Sequence, residues 1–396
     1  MSNGAVIVAG ALANKPSNGG NAWTRLNWLL GFRRSGFDPY FIEEINSGTC
    51  VGASNQPVAP EDSVNAAYFR AVMKQFGFEQ RASLLSDNGT AVVGIGLDRL
   101  EKLAGRADML LNISGHLQRA ALKLAPRCKI YLDDDPGYTQ CWHAAGQLGN
   151  RLAGHDHFFT LGANIGTSLC SIPAGDIHWR TTRVPIVLDE WPPIAPRNFD
   201  RFTTVASWRG AFGTVTLEGK TYGPKAHEFR KFLALPAKSG LKFQIVLNID
   251  PADWKDRQAL VNAGWDIGSP ELAATPDAFR AYVQNSSAEF SVAQPIYVGT
   301  RSGWFSDRSA AYLASGKPTL LQDTGFSRHL PTGEGLVTFT TLEEAMEGAA
   351  KIASNYPRHS RAARALAEQY FDSDKVLAKL LTDISIDDAQ RKNKPA

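Results

Sequence analysis

Short apolar runs that stop abruptly at glycine or a polar residue recur along this chain, and they constrain its fold more than any other feature. Ala5-Val6-Ile7-Val8-Ala9 ends at Gly10, and a polar loop holding Pro16, Gly19 and Gly20 follows. Trp23, Leu26, Leu30 and Phe37 then surround a helical segment that carries Arg25, Arg33 and Arg34. Asp38-Pro39 turns the chain into the next run, Tyr40-Phe41-Ile42. The pattern returns at 108–113, with a helix around Leu117 to Leu124 and a strand over Lys129-Ile130-Tyr131-Leu132. Strands without polar alternation belong to parallel sheets, whose crossover helices cover both faces. An α/β fold built of strand, helix and strand units is predicted.

The chain reads PIVLDEWPPIAPRN between Pro185 and Asn198, and Pro192, Pro193 and Pro196 would interrupt a helix or a central strand. The spacing therefore predicts an N-terminal Rossmann-like domain over 1–190, a proline-rich hinge over 191–200 and a second Rossmann-like domain over 201–380. A flexible charged tail is expected over 381–396. In the second half, strands are expected at 202–206, 243–247, 295–298 and 318–321, with a loop over 207–224. Helices are expected at 225–232, 306–315 and 361–370, and another opens at Thr341-Leu342-Glu343-Glu344, whose hydroxyl and acids suit free helix amides. Two doubly wound sheets joined by a hinge face each other across a cleft, and ligands of such sheets sit beyond the strands' carboxyl ends.

Composition narrows the function. The 42 basic and 39 acidic residues leave a net charge of +3, which gives no reason to expect nucleic acid as a default partner. Cys50, Cys128, Cys141 and Cys170 are far apart and form neither a disulfide framework nor a thiolate metal site. No apolar run approaches a membrane span and MSNGAVIVAG lacks a basic signal front, so a soluble cytoplasmic protein is expected. His155 and His157 would share a strand face, but no third ligand stands at a convincing spacing, and no metal site is expected.

The strongest local signal for chemistry is Ser302-Gly303-Trp304-Phe305-Ser306-Asp307-Arg308, leading through Gly316-Lys317-Pro318 into Asp323-Thr324-Gly325. Free amides at a helix start bind phosphate, and Arg308 in the first turns adds charge. Ser306, Asp307 and Arg308 are thus candidates for holding a donor, and Asp323, Thr324 and Gly325 are placed at the same sheet edge. A sugar nucleotide offers the matching mixture of diphosphate and hydroxyl groups.

The segment SGWFSDRSAAYLASGKPTLLQDTGFSRHLPTGEGLVTFTTLEEA resembles the donor-binding half of GT-B glycosyltransferases, in particular the C-terminal domain of the group 1, family 4 type. The helix, the xGxP strand entry, the polar strand-end loop and the closing EEA helix occur in the family's order. The resemblance implies a GT-B fold over most of residues 1–380 and transfer of a sugar from a nucleotide-diphosphate donor, a UDP-sugar first, to an unidentified acceptor. It implies that Gly19 and Gly20 form the glycine-rich loop facing the leaving phosphate or the acceptor. It also implies that Arg209 and Lys225 hold the diphosphate without a metal and with no tightly bound cofactor. One departure stands out: Ala311 occupies the place of a glutamate common in retaining members, and the nearest acid is Asp307. The family's stereochemical rule therefore does not transfer.

For proton removal from the acceptor, His116 follows one strand end, and Asp133 and Asp135 follow another in Tyr131-Leu132-Asp133-Asp134-Asp135. Alternation puts Asp133 and Asp135 on one side. Epimerisation or hydrolysis of a nucleotide sugar would use the same donor residues without an acceptor pocket, and a non-catalytic binding protein would fit the loss at Ala311.

Overall fold

The structure, a computed structural model, describes residues 3–194, 198–210 and 212–392, with side chains through Ile386. Pro196 of the expected hinge and the last four residues of the expected tail lie outside these. The first sheet contains β1 (Ala5–Ala9), β2 (Asp38–Ile45), β3 (Ala82–Ser86), β4 (Ala91–Gly94), β5 (Met109–Ile113), β6 (Cys128–Asp133), β7 (His157–Thr160) and β8 (Trp179–Thr181). Their order is β4-β3-β2-β1-β5-β6-β7-β8, and only the β3–β4 edge pair is antiparallel. The strand order reverses at β1 and β5, so the loops that follow these two strands diverge and leave a crevice.

The second sheet repeats this plan. Its strands are β9 (Arg201–Ser207), β12 (Lys242–Asn248), β13 (Trp265–Gly268), β14 (Ala288–Ser291), β15 (Thr319–Gln322) and β16 (Leu336–Phe339), all parallel, in the order β13-β12-β9-β14-β15-β16. The segment expected as a plain loop over 207–224 contains a hairpin, β10 (Val215–Leu217) with β11 (Lys220–Tyr222). Tyr222 and Val215 join Tyr138 of the first domain and Tyr297 of the second in one apolar cluster.

Two expectations are corrected. Residues 295–298 are not a strand but open the helix Pro295–Thr300, because Pro295 at its first position presets the helical φ and needs no amide partner. The strand of that region is β14, whose AEFS sequence hides a buried Glu289. The expected flexible tail is helical through Lys392, as the end of the helix Ser373–Lys392. That helix returns to the first domain, where Leu377 packs on Gly31 and Asp374 pairs with Arg34 at 2.9 Å.

The two sheets share a core. Trp23, on the helix Gly19–Arg34, lies 4.9 Å from Trp191 at the start of the expected hinge, and Trp191 meets Phe279 of the second domain at 6.2 Å. The Trp23 indole N–H donates to the carbonyl of Pro276 at 2.8 Å. This approach requires a glycine at position 19, since a Cβ there would stand 2.1 Å from the Thr275 carbonyl oxygen and 2.8 Å from that of Ala273. Gly19→Ala should therefore destabilise the protein by about 1–3 kcal/mol through overpacking. Urea unfolding checks this, and an unchanged midpoint would show that the domains do not meet there.

Candidate functional site

The carboxyl ends of both sheets face a cleft of about 570 Å³. The first domain contributes the loop after β1, including Lys15, Asn18 and Gly20, together with Thr24, Arg25, Asp134 and Asp135. The second contributes the end of β9, Gly210, Lys225, Gln294, and Ser306, Asp307 and Arg308 at the start of the helix Asp307–Ala314. The loop after β1 is held by Glu43 on β2, whose carboxylate accepts from the amides of Leu12, Ala13 and Asn14 at 2.7–2.9 Å. Burial pushes Glu43 up to about 7, against these donors, which favour its charged form.

The cations of the second domain divide into two kinds. Arg308 spends its guanidinium on the protein: Nε donates to Glu289 at 2.6 Å, Nη1 to the Val205 carbonyl at 2.9 Å and Nη2 to Ser291 at 2.5 Å. It ties the helix start to β9 and β14. Lys225 forms no side-chain hydrogen bond or ion pair among the described residues, and its ammonium stands in the cleft wall. Burial and then the neighbouring Arg308 charge lower it to about 7, while Glu289 opposes the shift. Such a cation lacks a directly bonded counter-charge, which a ligand can supply.

The first-domain side carries carboxylates. Asp134 accepts from Arg25 at 3.4 Å, and Asp135 accepts from the Tyr297 hydroxyl of the second domain at 3.4 Å. Burial, and then the charge of Asp134, push Asp135 up to about 7, while Lys15 pulls it down. Lys15 itself is lowered by burial and by Arg25, and its charge faces Asp135, Asp134 and Asp307. Thr24 donates its hydroxyl to Asp307, closing a direct bond between the domains.

The structure thus brings Gly20, Lys225, Ser306, Asp307, Arg308 and Asp135 into one cleft and leaves the other expected residues outside its wall. Asp133 does not face the cleft with Asp135. The strand ends at Asp133, the chain bends, and alternation no longer applies. Its buried carboxylate accepts from Thr139, Gln140 and Thr160, each at 2.7 Å. Gly19 serves the domain contact described above. Arg209 lies outside the lining residues, 57% exposed, in a two-pronged pair with Asp253 at 2.8 and 3.0 Å.

Asp323 caps its own turn by accepting from the Gly325 amide at 2.9 Å and from Ser327 at 2.8 Å. Thr324 donates to the Trp304 carbonyl, and Gly325, at φ 97°, leaves room for Asn164 of the first domain. These three residues build the inter-domain seam rather than the cleft wall. His116 is also outside the lining residues, and burial with the charges of Arg25, Arg151 and Lys15 lowers it to about 3. Sequence reasoning missed Lys15; its signal is a lone lysine in the loop after the first strand.

Among the described residues, no three His, Cys, Asp or Glu side chains are grouped to hold a metal ion. No described helix is long and apolar enough to cross a membrane.

No protein-family model and no curated protein sequence matches this chain. Solved structures do. Anabaena Alr3699/HepE in complex with UDP-glucose is 11% identical, covers 97% of this chain and 100% of its own, and superimposes with a TM-score of 0.58. An alpha-glucosyltransferase in complex with UDP and a 13-mer DNA containing a HMU base is also 11% identical, with the same coverage and a TM-score of 0.59. The two Rossmann-like sheets facing across a cleft are the GT-B fold. The expectation that nucleic acid is not a partner is overturned as an argument: a protein of this architecture is solved with DNA, and net charge does not report how charge is distributed.

The assignment of Asp133 to structure can be tested. Asp133→Ala removes the shared acceptor of three buried donors and should cost about 3 kcal/mol of stability. Urea unfolding measures this, and an unchanged midpoint with lost activity would return Asp133 to the chemistry.

Proposed function

We propose that this protein transfers a glycosyl unit from a nucleotide-diphosphate sugar, a UDP-sugar first, to an acceptor bound on the first-domain side of the cleft. The observation that carries this reading is Lys225, a cation in the cleft wall with no side-chain hydrogen bond or ion pair among the described residues, beside the start of the helix Asp307–Ala314. The UDP and UDP-glucose complexes of two proteins sharing the fold support the choice of donor.

During transfer the bond between the sugar's C1 and the diphosphate oxygen breaks, and the nucleoside diphosphate leaves with the electron pair. Lys225 stabilises the growing negative charge, an interaction stronger in the transition state than in the bound donor. Arg308 positions rather than touches: its bonds to Glu289, Ser291 and Val205 hold the helix start toward the cleft. Asp307 stands one helical turn before Ala311, on the same face, and is the acid available for the donor's ribose hydroxyls. Asp135 takes the acceptor's hydroxyl proton, since burial and Asp134 raise its basicity toward the working pH. His116, held near 3, is too weak a base for that step.

Lys225→Ala should lower turnover by about 30- to 1,000-fold, the equivalent of about 2–4 kcal/mol. The wild type should lose UDP affinity as pH rises above about 7, because the free lysine deprotonates there and the diphosphate binds its charged form. Calorimetry at pH 8 should register proton uptake on binding; absence of uptake contradicts the assignment. Asp135→Asn should leave UDP affinity within about twofold while reducing transfer by about 10²- to 10⁴-fold. Lost donor affinity would instead place Asp135 at the diphosphate.

A further inference from the structure

A second cavity lies behind the wall of the cleft. Leu161 lines the cleft on one side and, with Gly303, a narrow apolar recess on the other. That recess shares Ala163, Thr182, Arg183 and His329 with a wider cavity of about 300 Å³. The wider cavity draws on all three parts of the chain that meet at the seam. Thr181 to Arg183 leave the edge of the first sheet, His329 follows β15 of the second, and Lys375 and Lys379 stand on the C-terminal helix.

The lining holds three permanent cations and no carboxylate. Lys379 is offset by Asp383 at 2.7 Å, and Lys375 donates to the Glu368 carbonyl at 2.7 Å. Arg183 has no carboxylate partner among the described residues. Its guanidinium lies over the Tyr370 ring at 5.3 Å and makes one hydrogen bond, from Nη2 to the His329 carbonyl at 3.4 Å. Burial lowers its pKa, which is the signature of a cation left without a counter-charge. Guanidinium carries five donors in a planar fork suited to tetrahedral and planar oxyanions, so most of its hydrogen-bonding capacity is unspent here. A partly buried, unpaired cation costs free energy that an anion would recover.

We propose that this rear cavity is a binding site for a phosphate-type oxyanion, as inorganic phosphate or a small phosphomonoester, held by Arg183 with Lys375 and Lys379. The site is separate from the cleft and does not depend on the function proposed for it. Its ligand would touch both domains and the C-terminal helix, and so would stabilise their present arrangement.

The test is a calorimetric titration of inorganic phosphate into the Lys225→Ala protein, in which the cleft cation proposed to hold a diphosphate is already removed. One equivalent should bind, and binding should raise the thermal unfolding midpoint. Adding Arg183→Gln should weaken the affinity at least tenfold. A Lys375→Gln/Lys379→Gln pair, on the exposed face of the C-terminal helix, should weaken it as well and decides the matter if Arg183→Gln fails to fold. No phosphate binding by the Lys225→Ala protein, or affinity unchanged in these variants, would overturn the proposal.

Discussion

The contact between the start of the helix Gly19–Arg34 and the turn at Thr275 sets the geometry on which the rest of the structure depends. Two separately wound sheets have no inherent reason to meet in one orientation. Here Trp23, Trp191 and Phe279 bury their rings against one another, and the Trp23 N–H meets the Pro276 carbonyl. Aromatic rings contribute large apolar area at fixed geometry, and a buried indole N–H demands a partner. Gly19 removes the one side chain that would hold the helix away from the Thr275 carbonyl. The Thr24–Asp307 bond follows from this closeness, and so does the alignment of the two crevices across the cleft.

Charge is then distributed by burial. The buried Glu289 pairs with Arg308 of the cleft wall, whose remaining donors are met by Ser291 and the Val205 carbonyl. A buried ion pair of this kind stabilises little on its own but holds its elements in register. Lys225 beside it has no side-chain hydrogen bond or ion pair among the described residues, and burial with the Arg308 charge lowers its pKa. On the first-domain side Asp133 is hydrogen-bonded behind the cleft wall, while Asp135 lines the cleft, where burial raises its proton affinity. Two carboxylates two residues apart thus stand in different surroundings.

Much of the fold was legible in the sequence because parallel strands are apolar on both faces and need no knowledge of distant partners. β14 escaped because Glu289, paired with Arg308 from a later helix, breaks its apolar run. Residues 295–298 look β-prone in isolation, yet Pro295 favours a helix start. In the cleft, Ser306, Asp307 and Arg308 could be found because a helix start and its first-turn charge are local features, whereas Lys225 followed from the family resemblance. Asp133, Gly19, Arg209 and the 323–325 turn were misplaced because their partners, Thr160, Thr275, Asp253 and Asn164, are remote in sequence. Lys15 carries no local signal beyond its loop, and only the packing of the two domains brings it to Asp135 and Asp307.

On the proposed function, the cleft recognises a nucleoside diphosphate through the charge of Lys225. A calorimetric comparison of UDP with UMP on the wild type and on Lys225→Ala tests it most directly. The account predicts that UDP binds the wild type at least tenfold more tightly than UMP, about 1.4 kcal/mol, and that this advantage disappears in the variant. Equal affinity for the two nucleotides, or an advantage that survives loss of Lys225, would contradict it.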